Sequence, residues 1–405
     1  PLNIEELKQV LYRIDKTDAE AVAVCFLHSY ALDGNERRAE ELIQRMLPNL
    51  FVSISSKVSR YAREFERFST TVLNSYIGPL VSPYINTIHH LLKEGGYDKP
   101  FWIMTATGGA VSAEVAQQCP VLTINSGPAA GVVATAYLSK LLGYENVISC
   151  DTGGTSADIS LIRSHQPSII RDVPVSGYPN VSPQLDIVTI GSGGGTVAWV
   201  DSVGAFNLGP LSMGALPGPA CYGLGSSETT VTDAALLLGW INPSRLLGGE
   251  VILYPELARK AISKLASSLR VKDEYQMAEA IVKLAITEMV GGIKAVSTGR
   301  GHDVRDFTLM AFGGAGPMFA TRIASELGIP RIVIPLGPGN FCAAGMLQCD
   351  VIHQHLKPVR IMTSDGSIEN LRSMFRELEE GGKEQLIREG FGRQNIHFEE
   401  RLAMR

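Results

Sequence analysis

The sequence predicts an α/β protein in which buried strands run into glycine-rich turns. Three observations carry this. A continuous apolar run, Ala21–Leu27, reads as a strand buried on both faces, and Val147–Cys150 and Phe307–Phe312 read as further strands. Amphipathic stretches of helical period lie between them, most plainly Ile4–Ile14 and Met277–Ser297. Glycine is abundant, 41 of 405 residues, and it clusters where predicted strands end. Composition agrees, with 45% hydrophobic and 19% charged residues, as suits a globular protein with room for two or three domains.

From the N-terminus, the helix Ile4–Ile14 is followed by a strand within Ala19–Ser29, a helix Asn35–Met46 and a strand Val52–Ser55. Phe65–Leu92 reads as one or two helices, and Pro100–Thr105 as a strand before the Gly108-Gly109 turn. Leu122–Ile124 is expected as a strand entering a helix over Ala129–Leu142, with Ser126 and Pro128 marking its start and Gly143 its end. The strand Val147–Cys150 delivers Asp151 to a Gly-Gly turn. Strands Asp158–Arg163, Ser168–Val173 and Leu185–Ile190 follow. Residues 204–230, rich in Gly, Pro and Ser, read as a long ordered loop, a sign of function in a compact domain. Helices Tyr254–Leu265 and Met277–Ser297 precede a βαβ unit made of Phe307–Phe312, Met318–Leu327 and Arg331–Ile334. A helix Ile368–Gly390 and a short strand close the chain. The expected domains are 1–120, 121–365 and 366–405.

A net charge of −5 with no basic run argues against a nucleic-acid partner. The six cysteines form no C-x-x-C pair, which points to a reducing, cytoplasmic setting. No apolar stretch reaches the ~18 residues of a membrane span, and the first residues do not read as a signal peptide.

Two motifs carry chemistry. In Asp151-Thr152-Gly153-Gly154-Thr155-Ser156-Ala157-Asp158 a buried strand ends in a carboxylate. A turn follows whose amides and hydroxyls suit a phosphate, while Asp151 suits Mg²⁺ or a water. An ordinary β-hairpin is the plain alternative. In Phe312-Gly313-Gly314-Ala315-Gly316-Pro317 the glycines let a ligand approach the backbone at a helix N-terminus, or simply make a tight turn.

In this order the two motifs resemble those of the actin-like ATPase (ribonuclease H-like) superfamily. Further segments narrow the resemblance to the hydantoinase A / 5-oxoprolinase family, which includes N-methylhydantoinase. These are Asn125–Val132 (NSGPAAGV), Cys150–Ile162 (CDTGGTSADISLI), Ile187–Ala198 (IVTIGSGGGTVA), Gly214–Gly223 (GALPGPACYG), Thr230–Ala234 (TVTDA) and Phe312–Pro317 (FGGAGP). The resemblance implies actin-like α/β domains with mixed sheets flanked by helices. It implies ATP and Mg²⁺ as cofactors and hydrolysis of a cyclic amide, of hydantoin or 5-oxoproline type, through phosphorylation of the amide oxygen. The alternatives are a ketone carboxylase subunit of acetone or acetophenone type, or a non-catalytic nucleotide-dependent regulatory subunit. A B-type (hydantoinase B) partner is implied, and a homo-oligomer is left open. The family's first Asp-x-Gly-Gly-Thr turn is absent and its pattern continues past Arg405, so the chain is expected to be a fragment of a larger protein.

On this reading Asp151 is the catalytic, Mg²⁺-associated carboxylate. Gly153, Gly154, Thr155 and Ser156 hold phosphate with Asp158 in support, Gly313 and Gly314 line the adenosine side, and Gly193 and Gly194 contribute a second phosphate or substrate loop. Ser126 and Gly127 offer an anion site or a helix cap, and Asp233 a cleft carboxylate or a cap. Gly191–Thr196 is no dinucleotide fingerprint, since no helix follows, and a Walker A motif is absent. Cys221 is a candidate nucleophile against an inert thiol, and His353 with His355 a weak metal pair on one strand face. Arg63–Arg67 is expected to be a solvated helical face.

Overall fold

The computed structural model describes residues 2–244, 249–359 and 367–402. The chain forms two compact units. One comprises residues 1–126, 170–184 and 350–405, the other residues 127–169 and 185–349. The division therefore departs from the expected domain boundaries. The helix Ser367–Arg388 belongs to the first unit instead of opening a separate region, and the expected boundary at 365–366 lies outside the described residues.

In the first unit the strands Ala21–Val24 and Phe51–Ile54 pair in parallel, and Leu11, Ala39 and Ile43 pack with them in one core. Residues 64–94 form one helix, with Pro79 and Pro83 inside it. The solvated face expected at Arg63–Arg67 fails at its last residue: Arg63 is exposed, but Arg67 is fully buried. Its guanidinium donates to Ser55 Oγ, to the carbonyls of Tyr61 and Phe26, and to Glu64, so each of its three nitrogens meets an acceptor. Two expected strands are absent. Pro120–Thr123 is a 3₁₀ turn where Leu122–Ile124 was expected as a strand, and among the described residues no strand follows the last helix.

The second unit is built on one mixed sheet. Its elements, labelled here in chain order, are helix α1 (Ser126–Leu142) and strands β1 (Val147–Thr152), β2 (Ala157–Arg163), β3 (Ile187–Ile190), β4 (Thr196–Val200) and β5 (Phe206–Ser212). Helices α2 (Val231–Leu237), α3 (Pro255–Ser268) and α4 (Glu274–Val296) come next. Strand β6 (Thr308–Phe312), helix α5 (Gly316–Leu327), strand β7 (Arg331–Val333) and helix α6 (Phe341–Met346) complete it. The sheet order is β3-β2-β1-β6-β7. β2 runs antiparallel to its neighbours β1 and β3, while β1, β6 and β7 are parallel.

Burial explains the sequence pattern. Strand β6 is buried along its whole length, as an interior parallel strand must be. Helix α4 buries Met277, Ile281, Val282, Ile286, Met289 and Ile293 along one stripe of helical period, and that stripe packs into the sheet's main core. The βαβ unit ends α5 at Gly328, in the left-handed region expected of a C-terminal glycine. The long loop expected at 204–230 is partly a strand: β5 pairs with β4 as an antiparallel hairpin. The strand expected at Ser168–Val173 shrinks to Ile169–Ile170.

Candidate active site

The parallel pairing of β1 with β6 sets Asp151 opposite Phe312, so both glycine turns leave the sheet at neighbouring carboxyl ends. That edge is where open α/β sheets place their ligands. The first turn is closed by the Gly153 amide donating to the Ser156 carbonyl. Gly154 and Thr155 at its tip are exposed, and among the described residues their amides donate to no protein acceptor. A Cβ at Gly153, Gly154 or Gly314 would meet nothing within 4 Å, so all three open onto free space.

Gly313 is different. Its φ of +82° is a left-handed conformation, and a Cβ there would collide with Asp151 Oδ1 and the Thr152 carbonyl. Only glycine lets the second turn close on the first. The Ala315 amide donates to the Thr152 carbonyl at 2.9 Å and ties the two turns together.

Asp151 and Asp158 face each other across β1 and β2. Burial raises the Asp151 carboxyl above the ordinary range, and a hydrogen bond from Cys342 Sγ to Oδ2, 3.0 Å long, opposes that rise. Burial likewise raises Asp158. Its hydrogen bond from Thr189 Oγ1 works the other way, and the Asp151 charge adds to the rise. Cys342 itself is pushed up by burial and by the adjacent carboxylate. The site is thus an acidic pair beside an open backbone turn.

The predicted second phosphate loop takes another role. Residues 192–195 are buried. The amides of Gly194 and Gly195 donate to the carbonyls of Gly153 and Gly154 at 3.0 and 2.6 Å. A Cβ at Gly193 would sit 2.8 Å from backbone atoms of Gly153, Gly154 and Ser156. The loop therefore lies directly against the Asp151 turn, and its Gly194 and Gly195 amides are engaged there.

Asp233 lies one layer further back. It is fully buried at the start of α2, where it forms a capping box with Thr230. Its carboxylate also accepts from the amides of Ala220 and Cys221. The cleft-carboxylate reading is corrected to a cap, because both oxygens are spent on the backbone. Next to it, the Thr232 amide and Oγ1 both donate to the Gly194 carbonyl, which clamps the buried loop. Cys221 is fully buried and its thiol pushed up by burial, so the nucleophile reading is corrected to an inert core thiol.

Ser126 and Gly127 form the first turn of α1 itself, so Ser126 is not a residue preceding the helix. One turn on, Gly131 packs against Phe312 and Cys342. His353 is not part of a strand pair with His355. It bonds Glu389 at 2.7 Å and Gln385. Among the described residues no group of three or more His, Cys, Asp or Glu is placed to hold a metal.

Sequence reading missed Cys342, Thr189, Gly131 and Glu288. Glu288 sits on α4 beside Ser192, its carboxyl raised by burial. Gly131 and Thr189 lie inside the Asn125–Val132 and Ile187–Ala198 segments but carry no local sign of a part in the site, and Cys342 and Glu288 lie in no marked segment at all.

A mixed sheet with paired glycine turns and an aspartate at its central strand end defines the α/β, actin-like ATPase type of fold. Within it, the chain belongs to the hydantoinase/oxoprolinase family: that domain matches residues 67–355, and the family's N-terminal region matches residues 1–47. The chain is similar to the caprolactamase subunit alpha of Pseudomonas jessenii, 36% identical over 98% of this chain and 57% of the relative. It also superposes on the crystal structure of ATP-dependent caprolactamase from that organism with a TM-score of 0.83 at 35% identity, covering 98% of this chain and 58% of that one. Nucleotide-free acetone carboxylase gives a TM-score of 0.82 at 26% identity, over 97% of this chain and 57% of that one. The chain thus spans a little over half the length of these relatives.

Proposed function

We propose that the protein uses ATP to activate the oxygen of a cyclic amide for hydrolysis. The observation that carries this reading is the open Gly154–Thr155 tip, with unengaged amides beside a half-buried aspartate at the ends of two parallel strands. Backbone amides in such a turn bind phosphate without any basic side chain, in keeping with a net charge of −5. Gly154, Thr155 and Ser156 hold the terminal phosphates of ATP, and the open space at Gly314 admits the nucleoside side.

Asp151, with Asp158 across the ladder, suits Mg²⁺, which needs only one or two carboxylates beside water and phosphate oxygens. An ion bound there would supply charge neutralisation for phosphoryl transfer. Asp151 would hold the ion, and Asp158 would add negative charge that favours it. Transfer of the γ-phosphoryl group to the amide oxygen releases ADP and makes the amide carbon open to water.

The acetone carboxylase likeness supports a second reading, ketone activation for carboxylation by the same phosphoryl transfer. The higher identity to the caprolactamase favours the amide. Relatives described as enzyme subunits support a partner subunit of hydantoinase B type. Six cysteines with no C-x-x-C pair suit a cytoplasmic setting, and no helix among the described residues is long and apolar enough to cross a membrane.

The test is ADP release by the full-length protein, with the partner subunit it requires, given Mg-ATP and 5-oxoproline, hydantoins, lactams or small ketones. Release stimulated by one cyclic amide and lost in Asp151→Asn supports the reading. Stimulation by ketones with bicarbonate alone moves it to the carboxylase. Tight ATP binding with no stimulated release refutes both.

A further inference from the structure

The geometry points to Cys342 as a positioning residue for Asp151, a thiol that holds the carboxylate in its working orientation through a hydrogen bond to Oδ2. The inference rests on the reading of Asp151 given above.

Three features support it. First, the bond is 3.0 Å, short for sulfur, and among the described residues it is the one side-chain hydrogen bond that Asp151 makes. A carboxylate only accepts, so the thiol is the donor. Second, the other oxygen, Oδ1, lies against Gly313, where a side chain is excluded. The carboxylate is therefore wedged, with one oxygen against bare backbone and the other on the thiol. Third, the thiol is brought in by a helix crossing made for it. A Cβ at Gly131 of α1 would sit 3.0 Å from Cys342 Sγ and 2.8 Å from the Phe312 ring. On α6, Gly345 faces the Ala130 carbonyl at a separation that leaves no room for a side chain. Two glycines on facing helices thus let α6 approach until its thiol reaches the site.

An aspartate at a strand end with both oxygens free would sample several rotamers. Pinning one oxygen leaves a single orientation for the cation and the phosphates, which is the preorganisation that phosphoryl transfer depends on. The thiol acts through Asp151, so its effect belongs in turnover more than in nucleotide binding.

The test uses the full-length protein with the partner subunit it requires, and three variants. Cys342→Ala removes the donor. Cys342→Ser keeps a donor at nearly the same place. Gly131→Ala keeps the thiol and pushes it off Asp151. The expected result is a fall in kcat of about tenfold in Cys342→Ala and in Gly131→Ala, with KM for ATP within about twofold, and recovery of most of the loss in Cys342→Ser.

Crystal structures of the variants give a readout free of turnover. Asp151 is expected in another rotamer in Cys342→Ala and in its original one in Cys342→Ser. An unmoved Asp151 with kcat within about twofold in Cys342→Ala overturns the inference. So does a Cys342→Ser variant as impaired as Cys342→Ala, because volume and not the donor would then matter. Should no amide or ketone stimulate the wild-type protein, the proposed function is what fails, and the Asp151 rotamers still decide the role of Cys342.

Discussion

The Asp151–Ser156 turn and the Gly191–Gly195 loop carry similar glycine-rich sequences, both follow a strand, and they touch. In the first, Gly154 and Thr155 are exposed and their amides unengaged. In the second, residues 192–195 are buried, and the amides of Gly194 and Gly195 are spent on the first turn. The same freedom from side chains serves a ligand in one place and another backbone in the other. What separates them is the layer behind. The buried loop is clamped by Thr232 of α2, whose first turn Asp233 caps, so it has no free face. The Asp151 turn is backed by that loop on one side and open on the other.

The contrast is broken most severely at Asp151. Asp151→Asn is expected to lower ATP turnover by at least about a hundredfold with the fold intact, since the amide keeps the shape and loses the charge. Turnover assays beside a thermal melt check this. Asp233→Ala acts from the far end of the stack. It strips the capping box and leaves the Ala220, Cys221 and Thr230 amides unpaired in a dry interior, which costs about 3 kcal/mol in urea unfolding. Gly193→Ala forces a methyl group onto backbone atoms 2.8 Å away and costs about 2 kcal/mol in the same measurement.

Gly154→Ala provides the counterpart. Its φ is not left-handed and a Cβ meets nothing within 4 Å, so stability changes by no more than about 0.5 kcal/mol. Its added methyl group instead crowds the space assigned to phosphate, and nucleotide affinity, read by calorimetry, falls severalfold. Equal stability losses in Gly154→Ala and Gly193→Ala would erase the distinction between the two loops.

The smallest expected effect is one of pH. The folded Asp151 carboxyl is raised by burial, so the folded state binds its proton more tightly than the unfolded chain does. Ionised Asp151 therefore opposes folding above the ordinary carboxylate pKa of about 3.9, and the opposition vanishes below it. Asp151→Asn should melt slightly higher than the wild type near pH 7, and the gain should shrink towards pH 3.

The same logic separates what could be read in advance from what could not. Asp151, Gly153, Gly154 and Gly313 were legible because each sits in a short run whose strand, turn and helix signals are local. Arg67 was not. Its neighbours Arg63, Glu64 and Glu66 look like a charged surface, and only the approach of Ser55, Tyr61 and Phe26 turns that residue into the core. Asp233 was legible as a cap, because the Thr230–Asp233 spacing is local, while its hold on the Ala220 and Cys221 amides was not.

The sequence by itself determined the alternation of strands and helices, the aspartate at a buried strand end, the glycine turns and the family to which they belong. These depend on periodicity and on backbone freedom within a few residues. Tertiary structure alone decided which glycines face open space and which face backbone, that Gly313 closes on Asp151, and that Cys342 reaches it from 191 residues away. Those outcomes depend on distances of a few tenths of an ångström between segments remote in the chain, and no local pattern encodes them.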